Sequence, residues 1–203
     1  MEKRQAIPIL PIEAELPSWD DADAHILERA SDLIASRGTA RLTIAELARE
    51  ARVSRPTIYR RWASADEVVR AALLRQTMTV IRRLEPEVST RERLVSETLR
   101  FADLFREDPV FGRLLASEPD AFTQYSLERV GSSQRAMLRW LADAIAHAQN
   151  GGTVRAGDRS DMSVMLLLIV QSAVLSYNAV SSLIGIEEWH TELSRAVDGY
   201  LRP

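Results

Sequence analysis

Arginine is the residue whose placement in this sequence first suggests chemistry. Between Arg41 and Arg75 eight arginines stand against Glu46, Glu50, Asp66 and Glu67, a local net of +4 in a chain whose formal total is −3. A guanidinium offers a fixed fork of donors that matches a phosphate or the edge of a guanine, so such a segment points to nucleic acid even within an acidic protein. Other chemistry lacks its residues. The three histidines, His25, His147 and His190, are far apart and in no metal-ligand spacing, there is no cysteine, and no glycine-rich loop is set to cradle phosphate. An enzyme reading therefore has no candidate catalytic group, and neither a cofactor nor a metal is expected.

The elements that must position these arginines are legible from their end signals. Residues 20–37 carry Ile26, Leu27, Ala30, Leu33 and Ile34 at helical spacing, with Asp20, Asp21 and Asp23 at the start and Gly38 after the end. Thr43-Ile44-Ala45-Glu46 reads as a capping box, in which hydroxyl and carboxylate satisfy each other's free amides, and it opens a short second helix with Ile44, Leu47, Ala48 and Ala51 inward. After a break at Arg52-Val53, Ser54 caps a third helix whose first turn accepts Pro56 and whose Ile58 points to the core. A second box, Ser64-Ala65-Asp66-Glu67, starts a long fourth helix through Val68, Leu73, Ile81 and Leu84, which Pro86 stops. Two short helices joined by a tight turn, the second rich in Arg, Thr and Tyr, form a helix-turn-helix whose third helix enters the major groove.

Residues 23–73, above all the run from Thr43 to Trp62, resemble the DNA-binding domain of the tetracycline-repressor-like (TetR) family of regulators. The resemblance is carried by Thr43, the Leu47-Ala48 pair, Val53-Ser54, Thr57-Ile58-Tyr59, Trp62 and Ser64. Two positions depart from it: Arg52 stands where the family's turn usually has glycine, which requires a non-glycine residue in an unusual backbone angle or a different turn, and Ala65 stands where a lysine commonly follows the serine. The resemblance implies that Thr43, Thr57, Tyr59 and Arg61 hold phosphates and that Arg55, Pro56 and Arg60 face base edges, with Ser54 among the DNA-binding positions as a cap. Packing accounts for Trp62 as well as DNA contact does, and Arg49 and Arg52 fit a solvated face.

The rest of the chain reads as amphipathic helices at about 91–107, 109–117, 119–148, 159–185 and 187–201, punctuated by Asp108-Pro109, Glu118-Pro119, Asn150-Gly151-Gly152 and Gly185. No stretch alternates as a strand does. The fold class is all-α, with an extended arm over 1–19, a helix-turn-helix domain over 20–68 and a ligand-binding and dimerisation domain over 69–203. In regulators of this kind the last two helices form a four-helix bundle with a partner chain, and the stripe Trp189, Leu193, Val197 and Tyr200 suits that role. The ligand cavity expected among the later helices has Phe101, Phe105, Phe111, Phe122, Met137, Trp140 and Met165 as walls and Tyr125, Gln171, Tyr177 and Asn178 as polar anchors, although for any one of the aromatics plain core packing is the favoured role.

The segment Met162–Ile186 contains no charged residue and is as long as a membrane span. Seven of its positions are Ser, Gln or Asn (163, 171, 172, 176, 178, 181, 182) and no basic cluster flanks it, which favours a helix buried in a core or a dimer interface. The N-terminal stretch is broken by Pro8, Pro11 and Pro17 and lacks a signal-peptide core. The expectation is a cytoplasmic homodimer that binds operator DNA and releases it when a mostly apolar small molecule binds. A helical adaptor without DNA affinity is the rival reading, and salt-dependent binding to duplex DNA separates the two.

Overall fold

The computed structural model describes residues 17–120, 122 and 130–203, and the expected arm up to residue 16 and Tyr125 lie outside them. Every regular element among these residues is a helix, and no strand occurs among them. The order is α1 Asp21–Arg37, α2 Ile44–Glu50, α3 Arg55–Tyr59, α4 Ala65–Ile81, α5 Arg91–Glu107, α6 Pro109–Ser117, α7 Ser132–Asn150, α8 Arg159–Val180 and α9 Ile186–Leu201.

Caps explain most of the boundaries. Asp20 accepts from the Asp23 amide at 2.8 Å, Thr43 from Glu46 at 3.2 Å, Ser54 from Thr57 at 3.2 Å and Ser64 from Glu67 at 3.2 Å, so each of the first four helices starts on an oxygen that satisfies one free amide. The reciprocal half of the two boxes differs from the expectation. The Glu46 carboxylate pairs with Arg37 and Arg49 instead of the Thr43 amide, and the Glu67 carboxylate reaches one residue further back, to the Ala63 amide at 2.7 Å.

Three expected boundaries shift. α4 ends at Ile81, because residues 82–84 tighten into a turn, and does not run on to Leu84. The segment 119–148 is not one helix: α7 begins at Ser132 on a Gly131 cap whose amide donates to the Gln134 side chain at 2.7 Å. α8 stops at Val180, where the Leu183 and Ile184 amides both turn back to the Val180 carbonyl.

α1 to α3 close on Leu27, Ile34, Leu47 and Ile58, all fully buried, while α4 packs on α1 at one end and on α7 further along. α5, α7 and α8 surround an aromatic centre, and α9 lays Trp189, Leu193, Val197 and Leu201 on α5 and α8. From the sequence, Trp189, Leu193, Val197 and Tyr200 are expected to face a partner chain; the first three are instead buried within their own chain, where this face of α9 packs on α5, and Tyr200 is half-buried. Beyond that face, α8 leaves Val164, Met165 and Leu168 between 41% and 48% exposed, and Leu183 and Ile186 extend the uncovered surface. α8 is the one helix among the described residues long and apolar enough to cross a membrane by length and composition.

Candidate DNA-reading face and ligand cavity

α3 owes its position to Ile58, which is fully buried, and to Trp62, which is 8% exposed and therefore serves packing in this chain. With those side chains inward, the helix turns Arg55, Pro56, Tyr59 and Arg60 outward together, and Tyr59 is 54% exposed, a high value for an aromatic ring. An exposed Tyr on an Arg-rich helix is what a phosphate or base contact requires and what a folded core would avoid. Thr43 and Ser54 are exposed caps at the starts of α2 and α3, and the Ser54 and Thr57 hydroxyls lie 2.8 Å apart, which leaves a hydroxyl donor at the helix start.

The arginines fall into two groups. Arg55 and Arg60 have no ion-pair or hydrogen-bond partner among the described residues. Arg61 is engaged by the start of α1, with Asp20 at 2.9 Å and Asp23 at 3.2 Å. A phosphate must therefore compete with two carboxylates for Arg61, whose present work is to fix α3 against α1. Arg49 is similarly occupied by Glu46 and Glu50. Arg52 sits at φ 55°, the one non-glycine residue with a positive φ among the described residues. The turn thus keeps the left-handed geometry a glycine would adopt and imposes it on an arginine.

In the larger domain an apolar cavity of about 50 Å³ is lined by Phe101, Phe105, Phe111 and Phe122 on one side and by Met137, Leu167, Val170, Val174 and Leu175 on the other. Its polar residues are Thr77, Ser133, Gln134 and Gln171. The rings are mutually packed: Phe105 stacks on Phe111 with centroids 3.9 Å apart and planes 14° apart, and Phe122 lies within 6.2 Å of both. Of the expected walls and anchors, Phe101, Phe105, Phe111, Phe122, Met137 and Gln171 meet here. Trp140 lines a smaller adjoining cavity of about 20 Å³, separated from the first by Phe101, Met137, Leu167 and Val170.

Three residues are elsewhere. Met165 is on the uncovered face of α8. Tyr177 packs edge-on against Trp189 at 5.2 Å beneath the Arg106 guanidinium, and Asn178 donates to the Leu115 carbonyl at 3.1 Å. Asn178 also borders a surface cleft with Asp103, Arg106, Glu107 and His190. There Asp103 and His190 are 2.8 Å apart, and burial holds the Asp103 carboxyl above its ordinary pKa while the imidazole of His190 opposes the shift. Sequence reasoning missed Ser133, whose position on the inner face of α7 depends on the break at Gly131.

The two regions are bridged by α6. Its N-cap Asp108 is 8% exposed, accepts from the Val110 and Phe111 amides and receives the Gln76 side-chain amide from α4. At its other end the Glu118 carboxylate accepts from the Thr39 amide at 3.1 Å and from the Thr39 hydroxyl, in the loop between α1 and α2. Between these anchors Phe111 lines the cavity and Leu114 is fully buried.

Comparison with known proteins agrees with this arrangement. Residues 26–72 match the family model of bacterial regulatory proteins, tetR family. HTH-type transcriptional regulators of Mycobacterium bovis and Mycobacterium tuberculosis, themselves uncharacterized, are 36% identical over 181 residues, covering 89% of this chain and 95% of theirs. Among solved structures, a transcriptional regulator from Saccharomonospora viridis in complex with choline is 21% identical with a TM-score of 0.61 (90% of this chain, 98% of that one). RolR in complex with resorcinol is 14% identical with a TM-score of 0.67 (89% and 87%). SmeT, the repressor of the Stenotrophomonas maltophilia multidrug efflux pump SmeDEF, is 17% identical with a TM-score of 0.60 (89% and 90%). With a conserved length, a matched DNA-binding segment and this all-helical architecture, the chain belongs to the TetR family of DNA-binding transcriptional regulators.

Proposed function

We propose that the protein is a cytoplasmic repressor that grips a near-palindromic operator as a homodimer, through a DNA-binding unit over residues 20–68, and lets go when a small, mostly apolar effector fills the cavity of the unit over 69–203. The observation that carries this reading is α6. It is fastened at Asp108 to α4 and at Glu118 to the α1–α2 loop, and the cavity wall Phe111 lies between. A displaced Phe111 moves a stiff helix whose two anchors both belong to elements that aim α3.

Dimerisation supports the reading from another side. One five-residue recognition helix reads too few base pairs for selectivity, and two enter successive major grooves at a spacing of about 34–36 Å. The Val164, Met165 and Leu168 face of α8 has the character of a self-complementary patch, and covering it with a second copy also removes the need for a membrane. The names of the structural neighbours, two in complex with small molecules and one a repressor, agree with an effector-released repressor.

Selection of duplexes retained by the purified protein, followed by titration at several salt concentrations, tests the proposal. Arg55→Ala and Arg60→Ala relax base preference by about 1–3 kcal/mol at a single position, whereas Tyr59→Phe and Arg61→Ala weaken all sequences alike. Equal retention of scrambled and selected duplexes would refute sequence-specific binding. An unchanged consensus in both Arg55→Ala and Arg60→Ala would make those residues backbone contacts.

A further inference from the structure

We infer that the effector is an uncharged one- or two-ring aromatic compound carrying a hydroxyl or carbonyl group, which bonds to the Ser133 hydroxyl. The inference rests on the reading of the cavity as the effector site and names the chemistry of its occupant. Of the cavity's polar residues besides Ser133, the Thr77 hydroxyl is already given to the Leu73 carbonyl at 2.9 Å, the Gln134 carbonyl oxygen accepts from the Gly131 amide at 2.7 Å, and Gln171 is likewise engaged. Ser133 Oγ is different: the residue is 6% exposed, and its oxygen is buried with no partner. A buried hydroxyl without a partner is costly unless something supplies one, and what it borders is the cavity.

The adjoining cavity repeats the arrangement, since Thr98, 2% exposed, lines it and its hydroxyl is also buried without a partner. No charged side chain lines either cavity among the described residues, so a carboxylate or an ammonium would be stripped of water with none of these lining groups to neutralise it. The rings Phe101, Phe105, Phe111 and Phe122 offer flat apolar faces to a flat guest. Size sets the upper limit. The two cavities, of about 50 and 20 Å³, are smaller than a dry cavity of roughly 150 Å³ that takes benzene, so entry requires the flexible Met137 between them and the stacked Phe105–Phe111 pair to give way. Even joined, the two cavities fall short of a single ring, so each added carbon displaces more of the packed lining, and a compact guest of one or two rings is favoured over a long chain.

The experiment titrates the full chain with four probes of one shape: naphthalene, 2-naphthol, 2-naphthoate and (2-naphthylmethyl)trimethylammonium. The readouts are calorimetry and thermal shift. 2-Naphthol is expected to bind about five- to tenfold more tightly than naphthalene, as one neutral hydrogen bond provides, and both charged probes at least about a hundredfold more weakly than 2-naphthol. Ser133→Ala should bring 2-naphthol to the affinity of naphthalene while leaving naphthalene unchanged, and without ligand should raise Tm by about 2 °C or more, because the orphaned oxygen is gone. Thr98→Val gives an independent check on the second cavity through the same rise in Tm. Equal binding of naphthalene and 2-naphthol, tightest binding of a charged probe, binding of none of the four, or undiminished 2-naphthol affinity in Ser133→Ala would overturn the inference. Operator affinity measured without any probe tests the regulator reading separately, so a specific DNA binder that takes 2-naphthoate best would retain that reading and lose this one.

Discussion

Gly38 sits where the loop between α1 and α2 meets Glu118 at the end of α6, and replacing it by alanine should show how much that contact contributes. The residue sits at φ 85° and ψ 175°, a region that is almost exclusively glycine's, and a methyl group there would overlap the Glu118 carboxylate. Holding a non-glycine residue in such a conformation costs about 1–3 kcal/mol. Expelling Glu118 from Thr39 removes two hydrogen bonds to a charged acceptor that is only partly buried, worth about 1–2 kcal/mol together. The unfolded alanine chain has less freedom to lose than the glycine chain, which returns about 0.4–1 kcal/mol.

The net expectation for Gly38→Ala is a loss of about 2–3 kcal/mol, or a Tm lower by about 5–12 °C for a chain of this size. Urea denaturation of wild type, Gly38→Ala, Glu118→Ala and the double variant separates the parts. In the Glu118→Ala background the collision is gone and the backbone strain remains, so Gly38→Ala should cost roughly 1 kcal/mol less there than in wild type. A cost below about 0.5 kcal/mol in wild type would refute the strain argument. An equal cost in both backgrounds would show that Glu118 does not occupy the space in question.

Arg52→Gly should raise stability by up to about 1 kcal/mol, seen as a higher Tm, because glycine adopts φ 55° without the left-handed penalty; a lower Tm would mean that the arginine side chain itself is needed. Asp103→Asn tests the cleft beside His190. A carboxyl whose folded pKa is raised destabilises the fold once pH exceeds that pKa, and the penalty fades as pH falls toward the unfolded value. The variant should therefore gain on wild type in Tm at pH 7–8 and lose that advantage near pH 3, and a gain independent of pH would refute burial of the charge as the cause. Met165→Asp on the uncovered face of α8 should convert a sedimenting dimer to monomer and weaken operator binding by at least tenfold; a dimer of unchanged strength would place the interface elsewhere.

The DNA-reading half was legible because its signals are local. Thr43, Ser54 and Ser64 cap within three residues of themselves, and Ile58 is set inward by the helical period, whereas for Trp62 the sequence leaves packing and DNA contact equally open and only its burial favours packing. At Arg52 the sequence leaves two alternatives, an unusual backbone angle or a different turn, and the positive φ of 55° is the first of them. The cavity was legible in part for the opposite reason. Whether an aromatic lines a cavity, fills a core or rests on a surface depends on how far each helix is rotated about its axis, which is decided by neighbours distant in sequence. Tyr177 and Gln171 lie on the same helix, six residues apart, yet one stacks beneath Arg106 and the other borders the cavity. The interface stripe on α9 failed similarly: its apolar period was correct, but α5 proved to be the surface it meets.

The smallness of the cavity has a bearing on how a signal leaves it. A roomy pocket can be filled with little movement, and a ligand that binds both arrangements of a switch equally shifts nothing. In this structure the cavity has no space for a ring, so an aromatic guest of the proposed kind would be held only where Met137 and the stacked Phe105–Phe111 pair have yielded. Phe111 is on α6, and α6 cannot yield alone, since Asp108 ties it to α4 and Glu118 ties it to the loop that precedes α2. Under the proposed mechanism, occupancy thereby discriminates between two positions of the DNA-reading helices. A discrimination of about 1–3 kcal/mol is enough to lower operator affinity 5- to 150-fold, and that is comparable with the strength of the few hydrogen bonds at either end of α6. Under the proposed mechanism, tightly packed aromatics around too small a hole are the means by which filling the hole would be felt at the DNA.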